Sequence, residues 1–263
     1  MAETSNIIDN IARTGTLIAG RERWPRILVT LEAWQRLYEP LSRGDLDLVA
    51  LWGEADHVHL VVREGPASAI FSLRCIDGAY PSLGQAHPPA IRLERALRDL
   101  VGLRPTGLPD ERPWLDHGRW GVRHPLGHAQ PSGDATPYTF LPVEGEGLHQ
   151  VPVGPVHAGV IEPGHFRFTV NGETVVRLEQ RFGYAHKGTA ALFAGASVDT
   201  AARLAGRISG GSTVAYAYAF ALAVEAAMDT KAPRRAVWLR TLMAELERLA
   251  NHLGDIGAVC NDA

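Results

Sequence analysis

A proline-dense stretch divides this 263-residue chain: nine of its seventeen prolines fall between Arg104 and Pro155, among several glycines. Each proline removes a backbone donor and fixes φ, so long helices and central strands are excluded there. Regular structure must lie on either side. The chain therefore reads as an α+β protein in three parts. Residues 1–103 form a small α/β sandwich-like domain, 104–150 an extended Pro/Gly-rich arm, and 151–263 a β-hairpin followed by a helix bundle.

In the first part, Thr30 caps a helix whose apolar face is Trp34, Leu37, Tyr38 and Leu41, with Gly44 ending it. Residues 46–52 and 57–62 read as strands joined by the turn 53–56, and 69–75 as a third strand. Pro89 opens a helix that carries Ile91, Leu93, Leu97, Leu100 and Val101 and stops at Gly102. In the last part, Phe166, Phe168 and Val170 alternate on one strand, Asn171-Gly172 suits a type I′ turn, and 173–178 completes the hairpin. Helices follow over 190–205 and 213–228, and a third opens at Pro233. Such a bundle still needs cover for its outer faces, which points to a fragment or a partner-dependent chain.

The net charge of −3 gives nucleic acid or an anionic membrane nothing to hold. The two cysteines, Cys75 and Cys260, lie far apart, so neither a disulfide framework nor a zinc site is expected. The polar start, Met1 to Asn10, lacks a signal-peptide core. The longest apolar run, Val214 to Met228, contains Glu225 and falls short of the roughly 20 residues a bilayer requires. Histidines 117, 124, 128 and 149 in the arm read as loop surface.

Four motifs follow in order: Val153-Gly154-Pro155-Val156-His157; Glu162-Pro163-Gly164-His165-Phe166-Arg167; Gly183-Tyr184-Ala185-His186-Lys187-Gly188; and the helix Glu245 to Leu253. They resemble the GPxH, EPxxFR, GYxHRG and ExxRLxxHL motifs of the D-type subunits of complex I and of the large subunits of membrane-bound NiFe hydrogenases. Upstream, Tyr80-Pro81-Ser82-Leu83, Glu94-Arg95, Asp99 to Leu103, and His124-Pro125-Leu126 resemble the C-type subunits of complex I, with Ala96 replacing an acidic residue. The chain thus resembles a fused C/D protein of respiratory complex I (NADH-quinone oxidoreductase), or the large subunit of a hydrogenase-4 or formate hydrogenlyase type enzyme.

The resemblance implies specific chemistry. Where those hydrogenases carry RxCGxC, this chain has Arg207-Ile208-Ser209-Gly210-Gly211-Ser212. Soft thiolates suit nickel, whereas the hard hydroxyls of Ser209 and Ser212 do not, so no metal site is expected. Gly210 stands at the tyrosine that meets the quinone headgroup in complex I, and His165 at its hairpin-loop histidine partner. A quinone site would thus be half present. Arg207 and His252 match residues beside the terminal iron–sulfur cluster of a partner. There a cation favours the reduced cluster, and a histidine couples protonation to reduction. The competing readings are an ion pair for Arg207 and satisfied hydrogen bonds for His157, His165, His186 and His252.

No directly bound cofactor is implied. The implied partners are a small iron–sulfur subunit and membrane subunits of a complex-I-like assembly, on the inner face of the cytoplasmic membrane. The chain would be an oxidoreductase subunit inactive alone, or a structural scaffold without a redox ligand. Three further readings concern single segments or residues. Residues 206–213 have phosphate-loop spacing, but serine takes the lysine position and a helix precedes it, so the glycines read as close packing with Ser212 or Thr213 as a cap. Glu245 and Glu247 read as solvated helix surface, with Glu245 able to pair with Arg248. Glu225 is either a buried proton carrier or an exposed edge.

Overall fold

The computed structural model describes residues 6–18, 24–133, 135, 137–156 and 162–262. Contacts divide the chain into two units, one ending at Lys187 and the other made mainly of residues 188–263. The hairpin strands thus group with the N-terminal part, and the division falls at 187/188 rather than near 150.

The first unit is built on a mixed five-stranded sheet of order β1-β2-β5-β4-β3. Its strands are β1 (Thr16–Leu17), β2 (Arg26–Val29), β3 (Asp47–Gly53), β4 (His57–Glu64) and β5 (Ala67–Arg74). Only β2 and β5 run parallel. Short helices α1 (Ile7–Ala12), α2 (Leu31–Gln35) and α3 (Tyr38–Arg43) and the longer α4 (Ala90–Val101) contribute to its core. Thr30 accepts the Ala33 N–H and Gly44 ends the turn at φ 79°, so the caps stand where the sequence puts them, although α2 and α3 break the expected single helix. Trp34, Leu37, Leu41, Val58, Leu60, Val62, Phe71 and Leu97 form the enclosed core.

Beyond α4 lie β6 (Ala79–Pro81) with β7 (Arg104–Thr106), and β8 (Val122–Arg123) with β9 (Gln130–Pro131). A three-stranded antiparallel sheet follows: β10 (Leu148–Val153), β11 (His165–Asn171) and β12 (Thr174–Arg181). The hairpin turn differs from the expected one. Asn171 pairs with Thr174, so Gly172-Glu173 are its central residues, and only Gly172 is left-handed, at φ 57°. That is the glycine-first type II′ pattern, one residue past the expected dipeptide, and a register shift between Thr169 and Val170 leaves Val176 without a cross-strand partner.

The second unit is helical: α5 (Thr189–Phe193), α6 (Val198–Ala205), α7 (Thr213–Ala227) and α8 (Arg234–Asp262). The expected helix over 190–205 is split, because Gly195 turns left-handed at φ 74° and Ser197 caps a new start. No helix among the described residues is long and apolar enough to cross a membrane.

Candidate functional site

The turn that links α6 to α7 carries half of the candidate residues. Arg207, Ser209, Gly210 and Ser212 lie together there, and Gly210–Ser212 form one 3-10 turn. Arg207 and Gly210 are exposed, while Ser209 and Ser212 are half-buried. The Arg207 side chain has no partner among the described residues.

Two side chains from α8 grip this turn. Glu247 accepts the N–H of Val214 through Oε1 at 2.6 Å and the N–H of Ala215 through Oε2 at 2.9 Å. Asn251 Nδ2 donates to the Gly211 carbonyl at 2.6 Å. Residues four apart share a helix face, so one stripe of α8 fixes both the carbonyl of the turn and the first N–H groups of α7. The carboxylate also sits at the positive end of the α7 dipole. Ser212 makes no side-chain cap bond to the start of α7 and the Thr213 hydroxyl donates to the Ser209 carbonyl instead, so the expected cap from Ser212 or Thr213 is corrected. Glu247, assigned to solvated surface by sequence, is the capping group. A carboxylate distant in sequence leaves no local signal, which is why it was missed.

The phosphate-loop spacing at 206–213 follows α6, not a strand, so it lacks the context that motif requires. Elsewhere in this unit, Glu225 meets Arg240 at 2.6 Å, and the guanidinium draws the carboxyl below its usual range. Glu225 is therefore half of an interhelical ion pair. Glu245 and Arg248 pair at 3.0 Å as their spacing implies. His252 is exposed on α8, one residue past Asn251.

The histidines of the first unit are held differently. His165 packs its ring against Phe140 at 4.9 Å, and desolvation, then Arg167 and Arg181, lower its pKa. His186 stacks on Trp120 at 4.3 Å and is also lowered by desolvation. His157 lies outside the described residues. His165 and Gly210, the two halves of the implied quinone pair, belong to different units.

A second set of motif residues lies on α4, and its geometry explains the motif. Glu94 is buried and accepts from Ser82 Oγ at 2.6 Å, Leu83 N at 2.8 Å and Gly84 N at 3.1 Å, fixing the Tyr-Pro-Ser turn. Arg95 donates to the carbonyls of Arg112 and Pro113 and to Asp110. Asp99 Oδ2 accepts the N–H groups of Trp114, Leu115 and Asp116. The arm is thus strapped to α4.

It is also tied to the hairpin sheet. Arg112 meets Glu179 of β12 at 2.6 Å, and His117 Nε2 bonds the Phe182 carbonyl at 2.8 Å. His117 is buried, which corrects its assignment to loop surface. Proline prevents regular structure but not tight docking when side chains supply the partners.

The neutral hydroxyls of Ser209 and Ser212 at the α6–α7 turn are poor ligands for a soft metal such as nickel. Among the described residues, no three His, Cys, Asp or Glu side chains are placed to hold a metal ion. Cys75 is buried at the end of β5, and desolvation pushes its thiol up to about 11.

Comparison with known proteins matches residues 57–135 to the family described as respiratory-chain NADH dehydrogenase, 30 Kd subunit. Formate hydrogenlyase subunit 5 of Escherichia coli (strain K12) is 35% identical over 193 residues, covering 69% of this chain and 34% of the relative. Hydrogenase-4 component G of the same organism is 33% identical over 192 residues, covering 69% of this chain and 35% of the relative. The D-type subunit of NADH-quinone oxidoreductase from Acidiphilium cryptum (strain JF-5) is 37% identical over 105 residues, covering 40% of this chain and 26% of the relative. The chain spans about a third of the length of its first two relatives.

Proposed function

We propose that this chain is part of a subunit of a complex-I-like or hydrogenase-4-type membrane oxidoreductase. In this reading it serves electron transfer beside an iron–sulfur cluster of a small partner subunit and carries no NiFe centre. The reading is supported by similarity to subunits of both complex types and to the 30 Kd family within one chain, as a C/D fusion would require. One observation carries it: Glu247 and Asn251 hold the α6–α7 turn in a defined shape, yet Ser209 and Ser212 stand at the two ligand positions.

The exposed guanidinium of Arg207 has no competing partner among the described residues. Near a cluster it would stabilise the added electron and raise the cluster's potential. His252 offers an exposed proton site on the neighbouring helix. Gly210 supplies no hydroxyl, so quinone is not part of the proposal.

The test is co-purification with the iron–sulfur subunit, followed by metal analysis and a redox titration of the cluster. Nickel near one per chain would sink the NiFe-free reading. Arg207→Ala should lower the cluster potential. The scaffold alternative, favoured by the loss of both thiolate positions, instead expects an unchanged potential and weaker assembly.

A further inference from the structure

We infer that the arginine-lined cleft at the C-terminal end of α4 is a binding site for a small oxyanion of phosphate size. The cleft has a volume of about 250 Å³ and lies wholly within the first unit. Its charged lining is Arg98, Arg104 and Arg123 with Asp99 and Asp116, and His124 completes it.

The charge balance favours an anion. Three guanidinium groups face two carboxylates, a net charge of one positive before any contribution from His124. Both carboxylates are already committed to the main chain. Asp99 Oδ2 takes three N–H groups, and Asp116 Oδ1 accepts the Gly118 N–H at 2.8 Å. Arg98 donates to the Glu111 carbonyl and lies 3.9 Å from Asp99. Arg104 and Arg123 have no side-chain partner among the described residues. Two uncommitted guanidinium groups on one cleft suit the forked geometry of a phosphate or sulfate.

His124 forms part of the cleft wall. It is left-handed at φ 55°, a conformation costly for a side chain with a Cβ. Its Nδ1 is buried and makes no hydrogen bond in the protein. That nitrogen is closed to solvent, so the ring acts as cleft wall and the arginines are the donors that a ligand can reach.

The conformation is fixed in advance. Leu126 N–H donates to the Leu100 carbonyl, which caps α4, and Gly127 packs so closely that a Cβ would meet the Val101 carbonyl oxygen at 2.0 Å. Gly102 leaves room for the imidazole, since a Cβ there would meet the His124 ring at 2.9 Å. The volume equals roughly eight water molecules at ~30 Å³ each, enough for phosphate with some water. It lies below the ~300 Å³ at which drug-sized pockets begin.

The test is calorimetric titration of the full chain with inorganic phosphate and with sulfate, against chloride at matched ionic strength. Saturable binding of phosphate or sulfate is expected. Arg104→Ala and Arg123→Ala should each weaken it about tenfold, the loss of one charge-assisted contact. Arg43→Ala, a surface control far in sequence, should leave it unchanged. Absence of saturable heat would overturn the site, as would binding that survives the Arg104→Ala/Arg123→Ala double variant with an unchanged melting curve. Binding of acetate or an acidic peptide but not phosphate would also overturn it, identifying a socket for a partner's carboxylate instead.

Discussion

The two units use apolar residues in opposite ways. In the first, Trp34, Leu60 and Phe71 are completely enclosed, and the buried polar groups Glu94 and His59 have partners. In the second, the only buried residues among those described are Ala201 and Ala205, while Trp238 is 72% and Leu253 69% exposed. A sheet offers each helix a broad surface, whereas two helices touch along one stripe and leave the rest of their apolar surface bare. Apolar content alone therefore does not make a core. The sharpest test is native-state hydrogen exchange. Amides of β4 and β5 should open only with global unfolding, and those of α8 beyond residue 250 through local fraying, a gap of about 5 kcal/mol or more. Equal protection would break the comparison.

The first unit should respond strongly to single polar changes. Glu94→Ala removes the acceptor of three hydrogen bonds and strands Ser82 Oγ and two N–H groups in the interior. A loss of about 4 kcal/mol is expected in urea unfolding of this unit. A loss under about 1 kcal/mol would show that the Tyr-Pro-Ser turn holds itself.

Acid should also act there first. His59 is fully buried, bonded to Ser72 Oγ at 2.8 Å and close to Arg26. Desolvation, followed by the Arg26 charge, lowers its pKa to about 4. The unfolded chain then binds the extra proton between the ordinary value near 6.5 and about 4, so stability rises with pH across that window. The contribution is complete above pH 6.5 and fades as the pH falls to about 4, amounting to roughly 3 kcal/mol. His59→Gln should flatten this slope, and an unchanged slope would assign the dependence to other groups.

What the sequence disclosed follows from the range of each interaction. Caps at Thr30, Pro89 and Gly102, the strands around His57 and Ala69, and the Glu245–Arg248 pair are local, and their residues announce them. The strap made by Arg95 and Asp99 joins residues about 15 to 18 apart through main-chain carbonyls and N–H groups. No side-chain pattern records such partners, so the arm looked free. The hairpin turn falls one residue past the Asn-Gly dipeptide for a related reason, because the cross-strand pairing of Asn171 with Thr174 sets it. At the α6–α7 turn, sequence located Arg207, Ser209, Gly210 and Ser212, but not the clamp 33 residues away in Glu247.

That clamp gives the mildest expected effect and the finest test of the second unit. Glu247→Ala frees the N–H groups of Val214 and Ala215 and removes a negative charge from the α7 N-terminus. Because that helix end is half open to water, solvent can replace the lost partner, and the cost should be about 1 kcal/mol, as for other lost caps. It should appear as faster exchange in the first turn of α7 and leave β4 and β5 untouched. Glu247→Gln, which keeps an acceptor without the charge, should retain about half of the protection. A loss as large as that of Glu94→Ala would mean the second unit is as tightly closed as the first.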